Sequence, residues 1–147
     1  MGRYNIIRLK NIFWLRLAKN FPCTGQQRAK IVRLGGVVIK DYKTTFIGEN
    51  VIFDTYRPDL ITVGTHVHIT NGCIILTHYI DSRVKTTSYK VGPVILDDEC
   101  FLGVNTIICN SVRSGKGAFV GAGSVVTKDI PDNEIWAGKP AKFIRKR

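Results

Sequence analysis

The chain holds three residues that could move protons near neutral pH: His66 and His68, together in "VGTHVHIT", and His78, in "LTHYID". A neutral imidazole within hydrogen-bond reach of a hydroxyl can take its proton as the oxygen attacks an activated carbonyl. Three imidazoles on one centre could instead hold zinc. The four cysteines, Cys23, Cys73, Cys100 and Cys109, make no CxxC pair, and none sits in a nucleophile context. Charge is the other signal. With 22 Lys and Arg against 11 Asp and Glu, the net charge of +11 points to a partner that is nucleic acid, anionic lipid or a phosphorylated ligand.

The elements that position these groups follow from the pattern. At 147 residues and 44% hydrophobic composition the chain suits one folded domain. No apolar run reaches the ~18 residues of a membrane span, and no secretion signal is expected at the start. Sparse cysteines without a disulfide framework suit a reducing cytosol. From Leu96 the sequence divides into sixes: LDDECF, LGVNTI, ICNSVR, SGKGAF, VGAGSV and VTKDIP. The first column is aliphatic except for Ser114, and the fifth (Cys100, Thr106, Val112, Ala118, Ser124) is small or β-branched. A step of six is neither helix nor plain strand; it is the signature of a parallel β-helix. Likeness also recurs at eighteen, Phe101 with Phe119 and Ile108 with Val126, which implies one coil of three short edges. Cys73 and Cys100 then fill fifth positions and Cys109 a second, where packing asks for small residues.

Two stretches break the register: "DTYRPD" at 54–59, and the polar "HYIDSRVKTTSYKVGP" at 78–93, read as a loop thrown out of the coil over 79–93. The first third differs. "YNIIRLKNIFWLRLAKN" has Ile6, Leu9 or Lys10, Phe13 and Leu17 at helical spacing, and "GQQRAKIVRLGG" makes a second short helix closed by Gly35. These helices cap the open end of the coil, or lie basic side down on a membrane with Phe13 and Trp14 as anchors. Three regions result: a basic helical cap (1–34), the coil (35–130) and a C-terminal tail (131–147).

The hexapeptide run, the loop opening at "LTH" and the terminal "VGAGSVVTKDIP…WAGKPAKFI" resemble the left-handed β-helix acyltransferases, within them the maltose, galactoside and polysaccharide O-acetyltransferase branch. The resemblance covers about residues 35 to 147. It implies an all-β, left-handed parallel β-helix and a homotrimer with acetyl-coenzyme A in the groove between subunits. It implies His78 as general base toward a sugar hydroxyl. Val104 matches the backbone donor facing the thioester oxygen, although relatives often carry serine there. Ala122, Thr127 and Lys128 match contacts to the pantetheine arm and phosphates; Lys142, where some relatives have arginine, and Arg145 match the tail that faces the nucleotide. Gly121, Ala122 and Gly123 would give the flat wall that such a long ligand needs. An orienting carboxylate for His78 stays open. Position 60 lies one eighteen-residue coil back, which brings Asp59 forward, and Asp81 is local; both are also ordinary loop aspartates.

Two other readings compete. A γ-type carbonic anhydrase would use three histidines on zinc, but the spacing here does not resemble that family's and the AGKPA tail favours coenzyme A, so no metal is expected. A non-catalytic β-helix would use the charge to dock on an anionic membrane through residues 3–19. Nucleic acid is not expected, because aromatics interleaved with Arg and Lys are not evident in the coil. The protein is placed in the cytoplasm, at the inner membrane face if the basic start docks there.

Overall fold

Thr24 starts the second helix with a capping box: its hydroxyl accepts from Gln27 N, and the Gln27 side chain accepts from Thr24 N at 2.9 Å. The computed structural model describes residues 6–81 and 88–147, so the first residues of the basic start, Arg3 among them, and residues 82–87 of the 79–93 loop lie outside the described residues. Helix α1 spans Ile6–Asn20 and α2 spans Gly25–Leu34. Arg28, 3% exposed, joins both helices to the rest. Its guanidinium donates to the carbonyls of Ala18 at 2.9 Å, Phe21 at 2.9 Å and Ile47 at 3.1 Å. Carbonyls at a helix end have no partner inside the helix, so one buried fork satisfies the end of α1 and fastens it to the coil. Gly35 closes α2 as expected (φ −79), and Gly36 after it takes the left-handed region (φ +95).

The coil then advances three short strands per turn. The first turn holds β1 (Val38–Ile39), β2 (Phe46–Ile47) and β3 (Ile52–Phe53). The second holds β4 (Ile61–Val63), β5 (His68–Ile69) and β6 (Ile74–Ile75). A hairpin of β7 (His78–Ile80) and β8 (Tyr89–Val91) follows. The third turn is β9 (Val94–Leu96), β10 (Phe101–Leu102) and β11 (Ile107–Ile108), and the fourth is β12 (Val112–Ser114), β13 (Phe119–Val120) and β14 (Val125–Val126). β15 (Glu134–Gly138) and β16 (Ala141–Lys146) close the chain as an antiparallel hairpin. Three parallel faces result: β1-β4-β9-β12, then β2-β5-β10-β13-β15, then β3-β6-β11-β14. The parallel β-helix expected from the sixes, left-handed as the resemblance implies, is the architecture.

The period is visible in the register. Phe101 pairs with Phe119 and Ile108 with Val126, as the eighteen-residue step requires. Leu96, Leu102, Ile108, Ser114, Val120 and Val126 all point inward and are fully buried. Each buried aliphatic in that ladder stabilises by about 1.5–3 kcal/mol. At the corners, the fifth-position hydroxyls of Thr106 and Ser124 donate to the carbonyls of Gly103 and Gly121, at 2.7 and 2.6 Å. Corner glycines allow side chains from the next turn to lie against the backbone: a Cβ on Gly64 would collide with Asp98, whose carboxylate accepts from Thr65 N at 2.8 Å.

The two breaks change the length of a turn without breaking the stack. Phe46 pairs with His68 and Ile52 with Ile74, so the turn holding "DTYRPD" takes 22 residues rather than eighteen. His68 pairs with Phe101, and the thrown-out segment accounts for the added length.

Candidate active site

His78 emerges just after β6, at the start of the hairpin that leaves the coil. Its ring meets Asp54, which follows β3 one turn earlier: His78 Nδ1 and Asp54 Oδ2 are 2.5 Å apart. The Asp54 side chain is 2% exposed and that of His78 is 38% exposed. The carboxylate also accepts from Tyr56 N, Thr77 N and Thr77 Oγ1, each at 2.8 Å, and from His78 N at 3.2 Å. Burial pushes the Asp54 carboxyl upward, but these hydrogen bonds outweigh it and hold the group below the usual carboxylate range. An ionised carboxylate only accepts, so the imidazole proton sits on Nδ1 and Nε2 is left as a base.

The orienting carboxylate is therefore Asp54, and neither Asp59 nor Asp81 fills that place. Asp59 is held by Arg57 at 2.7 Å, and Asp81 by Lys90 at 2.6 Å. An eighteen-residue count does not reach Asp54, because this turn is 22 residues long and His78 lies two residues past the position level with Asp54.

Two tyrosines flank the imidazole. Tyr56 lies edge-on to it with ring centres 5.6 Å apart, and Tyr89, from β8, lies at 6.2 Å. Together Tyr56, His78 and Tyr89 line a cleft of about 280 Å³. His66 and His68 are elsewhere. His66 is an exposed corner residue (φ +55), and His68 stands on the second face between the rings of Phe46 and Phe101. Among the described residues no group of three His, Cys, Asp or Glu is placed to hold a metal ion.

The other expected residues fall in two places. Val104 and Ala122 are exposed at one corner on successive turns, where Gly123 N donates to Val104 O at 2.7 Å. Gly103 N is committed to Val120 O at 2.8 Å, which leaves Val104 N–H as that pair's donor. Gly123 (φ +69) faces open space, but Gly121 does not: a Cβ there would press on Ala137 of β15. The flat wall is thus shorter than residues 121–123. At the next corner, Thr127, Lys128 and Lys142 line one pocket of about 280 Å³ with Trp136, Pro140, Ala141 and Phe143. Arg145 is exposed further along β16, and its guanidinium donates to Lys146 O. Trp136 opens the quoted WAGKPAKFI motif, but the sequence assigns it no role in the site; the fold places it in this pocket.

The cysteines pack. Cys73 and Cys100 are buried with their thiols toward backbone carbonyls, and burial pushes Cys100 up to about 12. A thiol so protonated is no nucleophile.

With this geometry in hand, the comparisons identify the lineage. No protein-family model matches the chain. It is 32% identical over 139 residues to a protein of Bacillus subtilis (strain 168) named "Putative acetyltransferase YvoF", spanning 92% of this chain and 76% of that one. The chain belongs to the hexapeptide-repeat acetyltransferase family. Other relatives of this acetyltransferase are longer, and the chain spans 53% of one and 32% of another. Among solved structures, a maltose O-acetyltransferase from Clostridium difficile 630 superposes with a TM-score of 0.69 at 27% identity, covering 95% of this chain and 85% of that one. A hexapeptide-repeat acetyltransferase of Vibrio cholerae, VCA0836, superposes at 0.72 over 99% of this chain and 93% of that one; at 22% identity it speaks for the fold.

Proposed function

We propose that this acetyltransferase moves acetyl from acetyl-coenzyme A to a hydroxyl of a sugar or surface-polysaccharide precursor, by direct attack with His78 as general base. The observation that carries the reading is the His78–Asp54 pair at the floor of an open cleft. His78 Nε2 takes the proton as the acceptor oxygen attacks the thioester carbonyl, the C–S bond breaks, and the proton passes to the departing thiolate. Asp54 stabilises the imidazolium in between. Charge developing on the carbonyl oxygen would meet the Val104 N–H. A sugar hydroxyl is favoured by the maltose O-acetyltransferase that covers 95% of this chain.

The residues present fit the coenzyme. Lys128 and Lys142 give two cations for phosphates in one pocket, with Trp136 and Phe143 as apolar wall and Thr127 as a hydroxyl donor. A V. cholerae VCA0836 structure was solved with acetyl-coenzyme A. Ala122 and Arg145 complete the coenzyme contacts in this reading. Replacing both Lys128 and Lys142 by alanine should raise KM for acetyl-coenzyme A about 10-fold or more, with kcat nearly unchanged. An unchanged KM would move the nucleotide elsewhere.

A homotrimer with sites between subunits is part of the proposal. Two outer faces carry ladders for this contact: an aromatic one of Phe46, His68, Phe101 and Phe119 on the second, and an aliphatic one of Ile52, Ile74, Ile107 and Val125 on the third. Two different patches packing head to tail around an axis make a closed ring. Light scattering should read three chains; a fully active monomer would remove the assembly.

The cytoplasmic, membrane-edge placement is also proposed. Among the described residues no helix is long and apolar enough to cross a membrane. The outward stripe of α1 is Ile6 (83% exposed), Leu9, Phe13 and the cations Lys10 and Arg16, while Leu15 and Ala18 face the coil. Apolar anchors with flanking cations suit an anionic surface. Co-sedimentation with phosphatidylglycerol vesicles should fall when Lys10, Arg16 and Lys19 become glutamate; equal sedimentation would leave α1 only its place on the coil.

A further inference from the structure

We propose that Tyr56 and Tyr89 form the acceptor subsite, seating one pyranose ring by its C–H faces and presenting a hydroxyl to His78. This rests on the general-base reading above. Both interruptions of the hexapeptide period converge on one imidazole. The first supplies Asp54 and Tyr56, and the second supplies His78 and Tyr89. A coil that only needed to stack would have no use for either interruption.

The two rings are exposed where large aromatics usually are not: Tyr56 is 49% and Tyr89 63% accessible. Each is nevertheless held in place. Tyr56 N donates to the same Asp54 carboxylate that orients His78, so the ring and the base share an anchor. The Arg8 guanidinium stacks over the Tyr56 ring, 5.4 Å from its centre. Tyr89 is fixed opposite Ile80 in the β7–β8 ladder. Fixed, exposed rings on two sides of a base make a small cleft with two apolar walls and a polar floor. About 280 Å³ is at the lower end of ligand sites and gives room for one sugar ring between the two tyrosines. Cyclic sugars offer C–H faces to aromatic rings and hydroxyls at the edge; an open-chain polyol or a dicarboxylate offers no such face.

The experiment uses the full chain with acetyl-coenzyme A, and with methyl β-D-galactopyranoside, methyl α-D-glucopyranoside and open-chain sorbitol as acceptors. In Tyr56→Ala and Tyr89→Ala, KM for the better pyranoside should rise about 10-fold while KM for acetyl-coenzyme A stays put. Sorbitol turnover should not change in parallel, and Tyr56→Phe and Tyr89→Phe should behave like the wild type, since the ring face is retained. Saturation-transfer NMR of the two pyranosides reads the subsite without turnover: signal in the wild type, lost in both alanine variants, supports it. Unchanged pyranoside KM in folded alanine variants, or phenylalanine variants as poor as alanine, overturns the subsite and leaves acetyl transfer standing. Undiminished pyranoside signal in the alanine variants overturns it even in a chain that transfers nothing, in which case the general-base reading fails separately.

Discussion

His78→Ala should fold, assemble and bind coenzyme A as the wild type does, yet transfer acetyl about 10²- to 10⁴-fold more slowly. His78 is half-buried at the foot of a hairpin, outside the inward ladder, so truncation removes no core contact of the coil. Its partners are Asp54 and the two tyrosines, none of which lines the Lys128–Lys142 pocket. The loss should therefore fall on kcat, with coenzyme affinity by calorimetry unchanged. Near-normal turnover in this variant would remove His78 from the reaction and redirect attention to His66 and His68.

Asp54→Asn is the second large effect, and it tests the tautomer rather than the base. An asparagine amide can donate to Nδ1, which moves the ring proton to Nε2 and deprives the acceptor hydroxyl of its base. We expect kcat to fall about 10²-fold or more, as when a buried carboxylate behind a catalytic histidine is replaced elsewhere. Acid stability provides a second reading. The Asp54 carboxyl is lowered from 3.8 in the folded chain, so it adds stability that is present above about pH 4 and is lost as pH falls through the lowered value. Asp54→Asn should flatten the fall in melting temperature below pH 4. A variant with full turnover and an unaltered acid profile would mean that Asp54 neither orients His78 nor stays ionised.

The coil was legible because its determinants are local and repeated. An aliphatic residue at every first position but Ser114, with a small or β-branched one at every fifth, is satisfied by a chain that turns every six residues, and the pairs Phe101–Phe119 and Ile108–Val126 follow. His78 could be marked from its place beside the long break. Asp54 and Tyr56 could not be joined to it by counting, because an insertion shifts the register by an amount that only the fold reveals. The helix stripe left two faces open, because spacing alone does not say which one packs. Leu15 and Ala18 are the buried residues, on the helix that Arg28 fastens to the coil, while Ile6, Leu9 and Phe13 stay exposed. Gly121 likewise reads as open wall until β15 returns and lays Ala137 over it.

Direct attack is the central claim, and rapid-quench single turnover tests it most directly. Enzyme in excess over acetyl-labelled coenzyme A is mixed with a pyranoside acceptor, and protein, coenzyme and sugar are followed by mass spectrometry. The account predicts that the sugar ester appears in step with free thiol, with no acetylated protein at any time, and that His78→Ala slows both together. Label appearing first on the protein, or thiol released with no ester formed on the sugar, would contradict it.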